Sequence, residues 1–309
     1  MRRSWAFLAV AALPVGLLGA AAPAGAATTP AGCAGWTVTT VASGLGTLEN
    51  IAPDGAGGLY VSAVDRSAVE RVTATGRTTV ATGLDAPGGL VRAGGTLYVN
   101  TGDSALNIAL ALPGTVTAID LATGATRKVA SVTAPNGLAG LPDGSLAAAS
   151  SAVFGLSGIT RVVPSTGVKT ARWSSYGHSN GLAVSPDGTT LYSDDTYTGE
   201  IVAIPLLSGG ARAGAARTVA RIGTVLDAVD DLTATPDGSL YVAANLGNRV
   251  EKVDPATGAH CAIATVPGAS SVRVGPGVVG PGGPAPALFT SGWDGTVREL
   301  DPPAGVTVG

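Results

Sequence analysis

HSNGLAVSPDGTTLYSDD, residues 178–195, opens on Asn180-Gly181 and runs through the apolar Leu182-Ala183-Val184. It turns at Pro186-Asp187-Gly188 and resumes at Leu191-Tyr192. Taken alone this is hairpin grammar, since Asn-Gly and Asp-Gly are favoured wherever the backbone must turn tightly. The stretch is not unique. APNGLAGLPDGSLAAAS begins at Ala134 and VDDLTATPDGSLYVAAN at Val229. ENIAPDGAGGLYVSA begins at Glu49, APGGLVRAGGTLYVN at Ala86, and a weaker copy, ASSVRVGPGVVGPGGPAPALFTS, at Ala269. Copies at intervals of roughly 40–50 residues match the repeat length of a propeller blade.

Each copy continues alike. A second strand such as Leu240-Tyr241-Val242-Ala243 follows the turn. A third alternates apolar and polar residues, as in GTVTAIDLATG from Gly114, NRVEKVDPATG from Asn248 and GTVRELDPPAG from Gly295. A short fourth follows, as in RKVAS from Arg127 and RTVAR from Arg217. Four short strands per unit with period-2 alternation describe a blade, and no segment has a convincing helical period. A blade cannot bury both faces alone, so the units must stack in a ring. The expected fold is all-β: a six-bladed β-propeller of four-stranded antiparallel blades. WTVTTVAS, from Trp36, has no inner strand of its own and is the expected outer strand of the last blade, which lacks one.

The first residues stand apart from the repeats. Arg2 and Arg3 precede an apolar run from Trp5 to Leu18, and Ala24-Gly25-Ala26 fits a small-residue cleavage site. This is the pattern of a secretory signal peptide over residues 1–26, cleaved near Ala26. The run is short of the ~20 residues that a membrane span needs. Residues 27–309 then form one propeller domain, and the protein is expected to be secreted. The arginine pair leaves the export route open. A net charge of -3 and the lack of a basic stripe exclude a nucleic-acid partner. No later segment has the apolar length of a membrane helix. A monomer is the default. The two cysteines, Cys33 and Cys261, predict a disulfide in an oxidising space.

Repeats permit a comparison of registers. The inner strand of each copy starts on an apolar residue: Ile51, Leu90, Leu138, Leu182, Leu232 or Val272. Two positions earlier stand Glu49, Gly88, Asn136, Asn180, Asp230 and Ser270. Equivalent positions of a propeller face the axis alike, so these six form a ring at one mouth of the central channel. Two carboxylates near one axial point repel each other unless a cation lies between them. With two amide oxygens they make an all-oxygen donor set of charge near -2. That set suits one hard divalent cation, Ca²⁺ first, with Mg²⁺, Mn²⁺ or Zn²⁺ as alternatives. The bland reading keeps Asn136 and Asn180 as turn residues and leaves the carboxylates solvated in a wide pore.

The six-fold pattern with its PNG, SNG and PDG motifs resembles the gluconolactonase/regucalcin (senescence marker protein) family of six-bladed propellers. The resemblance implies a divalent-metal site in which Glu49 of LENIAPDG, Asn136 of APNGLAGLPDG, Asn180 of HSNGLAVSPDG and Asp230 of AVDDLTATPDG are the ligands. Asp231, one residue on, is the alternative to Asp230. It also implies that Asp230 is the general base of a lactonase. Sugar-lactonase members carry an arginine near the first asparagine, where this chain has Ala134-Pro135. A less polar lactone or ester is therefore as plausible a small-molecule substrate as a sugar acid lactone.

The expected function is thus a secreted metal-dependent hydrolase, lactonase- or esterase-like, with a metal-polarised carbonyl and Asp230 as base. His178 and Asp195 are possible helpers in proton transfer. Trp173, Tyr176, Tyr197 and Trp293 are candidate pocket walls. The alternative is a non-catalytic exported propeller that binds a ligand or protein and carries a structural ion. A quinone-dependent sugar dehydrogenase is disfavoured, because the chain has only His178 and His260 to set around such a cofactor.

Overall fold

The computed structural model describes residues 32–153, 157–277 and 285–309. The signal-peptide segment expected at residues 1–26 lies outside the described residues. Six antiparallel sheets form the blades of a propeller. Their inner strands are Leu48–Pro53, Pro87–Ala93, Pro135–Gly140, Ser179–Val184, Val229–Ala234 and Ala269–Pro276, in blades 1 to 6. Blade 4 carries an extra two-residue strand, Arg212–Ala213, beside its third strand Glu200–Leu207.

The ring closes as the orphan N-terminal strand predicts. Thr37–Ala42 pairs with Val297–Asp301 as the outer strand of blade 6, with Thr37 opposite Asp301 and Thr39 opposite Glu299. Cys33, just before that strand, forms a disulfide with Cys261 in the outer strand of blade 5, across 228 residues. The closure is therefore fastened twice, by a strand ladder and by a covalent bond.

Buried apolar side chains collect where neighbouring blades face each other. Leu48, Ile51, Val61 and Phe289 fill the joint between blades 1 and 6, and Leu182, Leu191, Val202 and Ala147 that between blades 3 and 4. Both faces of a middle strand meet a neighbour. Second strands such as LAAAS and LYVAA are accordingly buried along their whole length. Each fully buried leucine or phenylalanine contributes roughly 1.5–3 kcal/mol. Among the described residues one α-helix departs from the all-strand expectation, beside two three-residue 3-10 turns at Val64–Arg66 and Ser208–Gly210. Ala105–Leu110 is an α-helix capped by Ser104, whose hydroxyl accepts from the Asn107 N–H. Six residues are too few to leave a helical period in the sequence.

Pairing between inner and second strands slips by one residue at the same place in every blade. It slips between Leu48 and Ile51, Pro87 and Leu90, Pro135 and Leu138, Ser179 and Leu182, Val229 and Asp231, and Ala269 and Ser271. Such bulges re-aim a side chain. Here they hold the six ring positions. The Asn-Gly dipeptide of the opening stretch is not a turn. Gly181 lies inside Ser179–Val184, and the left-handed residue is His178 (φ 58), three positions earlier. Gly181 is glycine because a Cβ there would meet the Asp231 Cα of the next blade at 2.5 Å. The Pro-Asp-Gly reading is correct: Gly188 has φ 70, and Asp187 Oδ1 accepts from the Thr189 N–H.

Candidate metal centre

Antiparallel pairing sets the end of each second strand beside the bulge of its inner strand, as with Asp195 opposite Ser179. The ring therefore receives side chains from two sources: the bulges and the loops that follow the second strands. Glu49, Asn136, Asn180 and Asp230 are all at least nine-tenths buried. Asn180 Nδ2 donates to Asp230 Oδ1 at 3.0 Å and to Thr196 Oγ1 at 2.6 Å. The Trp293 indole N–H donates to Glu49 Oε2 at 2.9 Å. Asn136 Nδ2 donates to Asp103 Oδ1 at 3.1 Å. Ser270 is engaged elsewhere, donating to Leu48 O and so bracing the last blade to the first.

Burial and mutual repulsion dominate the electrostatics. Burial raises Glu49 to about 7, opposed by the Trp293 hydrogen bond and helped by the Asp231 charge. Burial raises Asp230 well above the usual carboxylate range, and the charges of Glu49, Asp194 and Asp103 add to it. Asp103 is raised in the same way, by burial and by Glu49, against the Asn136 hydrogen bond. Asn180 Oδ1, Asp230 Oδ2 and Asp103 Oδ2 are buried without a hydrogen-bond partner. Among the described residues no three histidine, cysteine or acidic side chains form a metal cluster by themselves.

One layer below, the positions after the ring are Asn50, Gly89, Gly137, Gly181, Asp231 and Ser271. The three with side chains bond together under the ring. Asn50 Nδ2 donates to Asp231 Oδ2 at 3.1 Å, and the Ser271 hydroxyl to the same oxygen at 2.5 Å. Arg273 grips both carboxylate oxygens, at 2.5 and 3.1 Å. Burial still pushes Asp231 up, with Arg273 and Ser271 working against it. Asp231 is thus the bonded floor of the site, while Asp230 keeps a free oxygen. At the far end of the channel lies a cavity of about 200 Å³, lined by Leu90, Leu138, Leu182 and Leu232 with Arg273.

The expected helpers and pocket walls fare differently. Asp195 Oδ1 accepts from the N–H groups of Tyr197 and Thr198, closing a turn, and its Oδ2 lies 3.9 Å from His178 Nδ1. His178 stacks edge-on against Tyr197. Trp173 is no wall of this mouth: it belongs to the blade 3 outer strand and donates to Ala211 O. Tyr176 packs with it between blades 3 and 4. Trp293 does reach the ring, as a hydrogen-bond donor. Sequence reasoning missed Asp103, Thr196 and the role of Trp293. A register comparison of the residue directly after each second strand would have singled out Thr196 and Trp293, but not Asp103.

A six-bladed propeller with an oxygen-lined ring at one mouth is the architecture of a known class. The chain belongs to the SMP-30/gluconolactonase/LRE-like family, whose model matches residues 55–275. No curated protein sequence matches the chain. Solved structures similar to it include a luciferin-regenerating enzyme, at 16% identity and TM-score 0.68, covering 89% of this chain and 98% of that one. A gluconolactonase from Xanthomonas campestris is similar at 19% identity and TM-score 0.67, covering 86% and 89%. The calcium-binding protein regucalcin from Agrobacterium tumefaciens is similar at 18% identity and TM-score 0.66, covering 86% and 92%. At these identities the likeness is one of fold.

Proposed function

We propose that the chain is an exported hydrolase that opens lactone or ester bonds with one divalent cation, Ca²⁺ first, held by Glu49, Asn136, Asn180 and Asp230. The observation that carries this reading is the pair of buried, unpartnered oxygens, Asn180 Oδ1 and Asp230 Oδ2, beside the buried Glu49. Buried polar atoms are almost always bonded, and leaving one unbonded costs about 1–3 kcal/mol. A cation satisfies both oxygens and offsets the carboxylate repulsion, and an oxygen-only set suits a hard ion. The regucalcin relative is described as calcium-binding.

When bound, such an ion polarises a substrate carbonyl and stabilises the negative charge that develops on its oxygen. The chain's own groups do the rest. Asp230 takes a proton from the attacking water. Asn180 holds Asp230 Oδ1 and so fixes the orientation of that carboxylate in the ring. Trp293 fixes Glu49 Oε2, and the Asp231–Arg273 floor supports the ring from below. Asp195 is engaged in its turn and His178 faces Tyr197, so the geometry favours Asp230 over these helpers.

The rim speaks to the substrate. Loops on the ring side carry the exposed side chains of Leu106, Leu110, Val225, Leu226, Leu246 and Trp293. That apolar rim, with Ala134-Pro135 in place of a sugar-binding arginine, favours a lactone or ester with an apolar substituent over a sugar acid lactone. The test is hydrolysis of a panel running from gluconolactone to alkyl-substituted lactones and aryl esters, with and without EDTA. Turnover of the alkyl lactones that EDTA abolishes is expected. Turnover indifferent to EDTA overturns the cation's role. Bound cation with no turnover across the panel overturns the hydrolase and leaves a binding module.

A further inference from the structure

Blade 2 is where the ring lacks a side chain of its own, at Gly88. The space is not empty. A Cβ on Gly88 would overlap Asp103 Oδ2 and lie 3.1 Å from Asp103 Cβ. Asp103 arrives there from the end of the blade 2 second strand, two residues past Thr101. Its N–H donates to Ala86 O at 3.0 Å, which ties its backbone to the entry of the inner strand. The residue is 8% exposed.

The two oxygens of Asp103 differ. Oδ1 accepts from Asn136 Nδ2 at 3.1 Å, so the amide oxygen of Asn136 is turned to the other side. Oδ2 is buried without a partner. Asp194 shares this feature, with Oδ1 on the Gly181 N–H and Oδ2 unpartnered, whereas two other buried aspartates are fully engaged. Asp54 accepts from two backbone N–H groups and from Arg71, and Asp231 accepts from Asn50, Ser271 and Arg273. A structural carboxylate with an unused buried oxygen is a costly choice.

The geometry points to Asp103 as the blade 2 member of the ring. Its carboxylate fills the sector that Gly88 leaves open, pins the Asn136 amide, and adds a third negative charge, after Glu49 and Asp230, to the cation site. Asp103 is a positioning and charge-supplying residue. This inference rests on the cation reading above and extends it: the site is more acidic than a two-carboxylate ring and holds its cation more tightly for that reason.

The experiment is cation binding to the metal-free full chain. Ca²⁺ is titrated by calorimetry, and Tb³⁺ by luminescence excited through Trp293, which touches Glu49. Asp103→Asn is expected to weaken both by roughly 10–100-fold, the usual loss for a group that supports metal ligands. Its metal-free melting temperature stays the same or rises, because a buried acid without a counter-charge has gone. The double variant Gly88→Asp/Asp103→Gly returns a carboxylate to the same sector and regains most of the affinity. Wild-type affinity in Asp103→Asn overturns the inference, as does a loss of affinity matched by a loss of metal-free stability. A folded double variant no tighter than Asp103→Gly also overturns it. A wild-type chain that binds neither ion overturns the cation reading itself, which is a distinguishable result.

Discussion

Asn180 Nδ2 donates to Asp230 Oδ1 at 3.0 Å, joining the inner strands of two neighbouring blades across 50 residues of chain. The second hydrogen of the same amide goes to Thr196 Oγ1. With both hydrogens engaged the amide has one orientation, and Asn180 Oδ1 is the atom left over. Asn180→Ala removes that oxygen and the donor that steadies Asp230. Ca²⁺ affinity is expected to fall at least tenfold, read by calorimetry on the metal-free protein.

Asp230 and Asp231 are adjacent in sequence and opposite in consequence. Asp231→Asn breaks a buried pair with Arg273, and losing one partner of such a pair costs about 3–5 kcal/mol. Asp230→Asn removes a carboxylate that has no cationic partner, so metal-free stability at neutral pH holds or increases while lactone turnover is lost. Denaturant melts in EDTA, beside turnover assays, separate the two variants.

Glu49 shares the pH dependence of the site with Asp230 and Asp103. Burial raises Glu49 to about 7, above its ordinary value of 4.5. The metal-free folded chain therefore keeps a proton that the unfolded chain releases. Its contribution is fully present below about 4.5 and lost as pH climbs to about 7, on the order of 3 kcal/mol. Cation binding must displace that proton and those that burial holds on Asp230 and Asp103, so Ca²⁺ affinity rises with pH through this window and beyond it. Trp293→Phe deletes a hydrogen bond that lowers Glu49, and the window moves upward. Thermal melts in EDTA and calorimetry at several pH values check both signs.

Gly181→Ala tests the close approach of blades 4 and 5. The added methyl meets backbone, the Asp231 Cα at 2.5 Å, which cannot swing aside. Overpacking of this kind costs roughly 1–3 kcal/mol. A turn glycine with positive φ would instead be penalised for strain, and Gly181 has no such φ. A loss of stability accompanied by weakened cation binding is expected, since the methyl pushes on the floor beneath Asp230.

Reducing Cys33–Cys261 releases a loop of 228 residues. On chain-entropy grounds the bond contributes up to ~5 kcal/mol. The N-terminal strand Thr37–Ala42 is the element it secures, and the described residues place that strand at the ring closure. The Cys33→Ser/Cys261→Ser variant is expected to melt at a lower temperature, with early loss of amide protection in Thr37–Ala42 by hydrogen exchange.

The blade repeat, the closing strand and the six ring positions were all legible in the chain. One local rule is written six times, so a register read in HSNGLAVSPDG holds for its copies. The same comparison paired the orphan strand after Trp36 with the blade that lacked one. The local rule misled at Gly181, where a turn dipeptide stands within a strand. Asp103 was missed because it belongs to an irregular insertion, TGDSALN, with no counterpart in the other blades.

By itself, then, the sequence determined the architecture and the six ring positions on the inner strands. Periodicity and repetition are properties of one chain read in order. Only the tertiary structure decided what each of those residues meets. It set Asp231 on Arg273 and left Asp230 Oδ2 free, brought Trp293 to Glu49, and filled the gap at Gly88 with Asp103. Those are contacts between blades and between loops. They follow from side chains converging on one axis, where a spacing of one residue along the chain separates the ring from the floor beneath it.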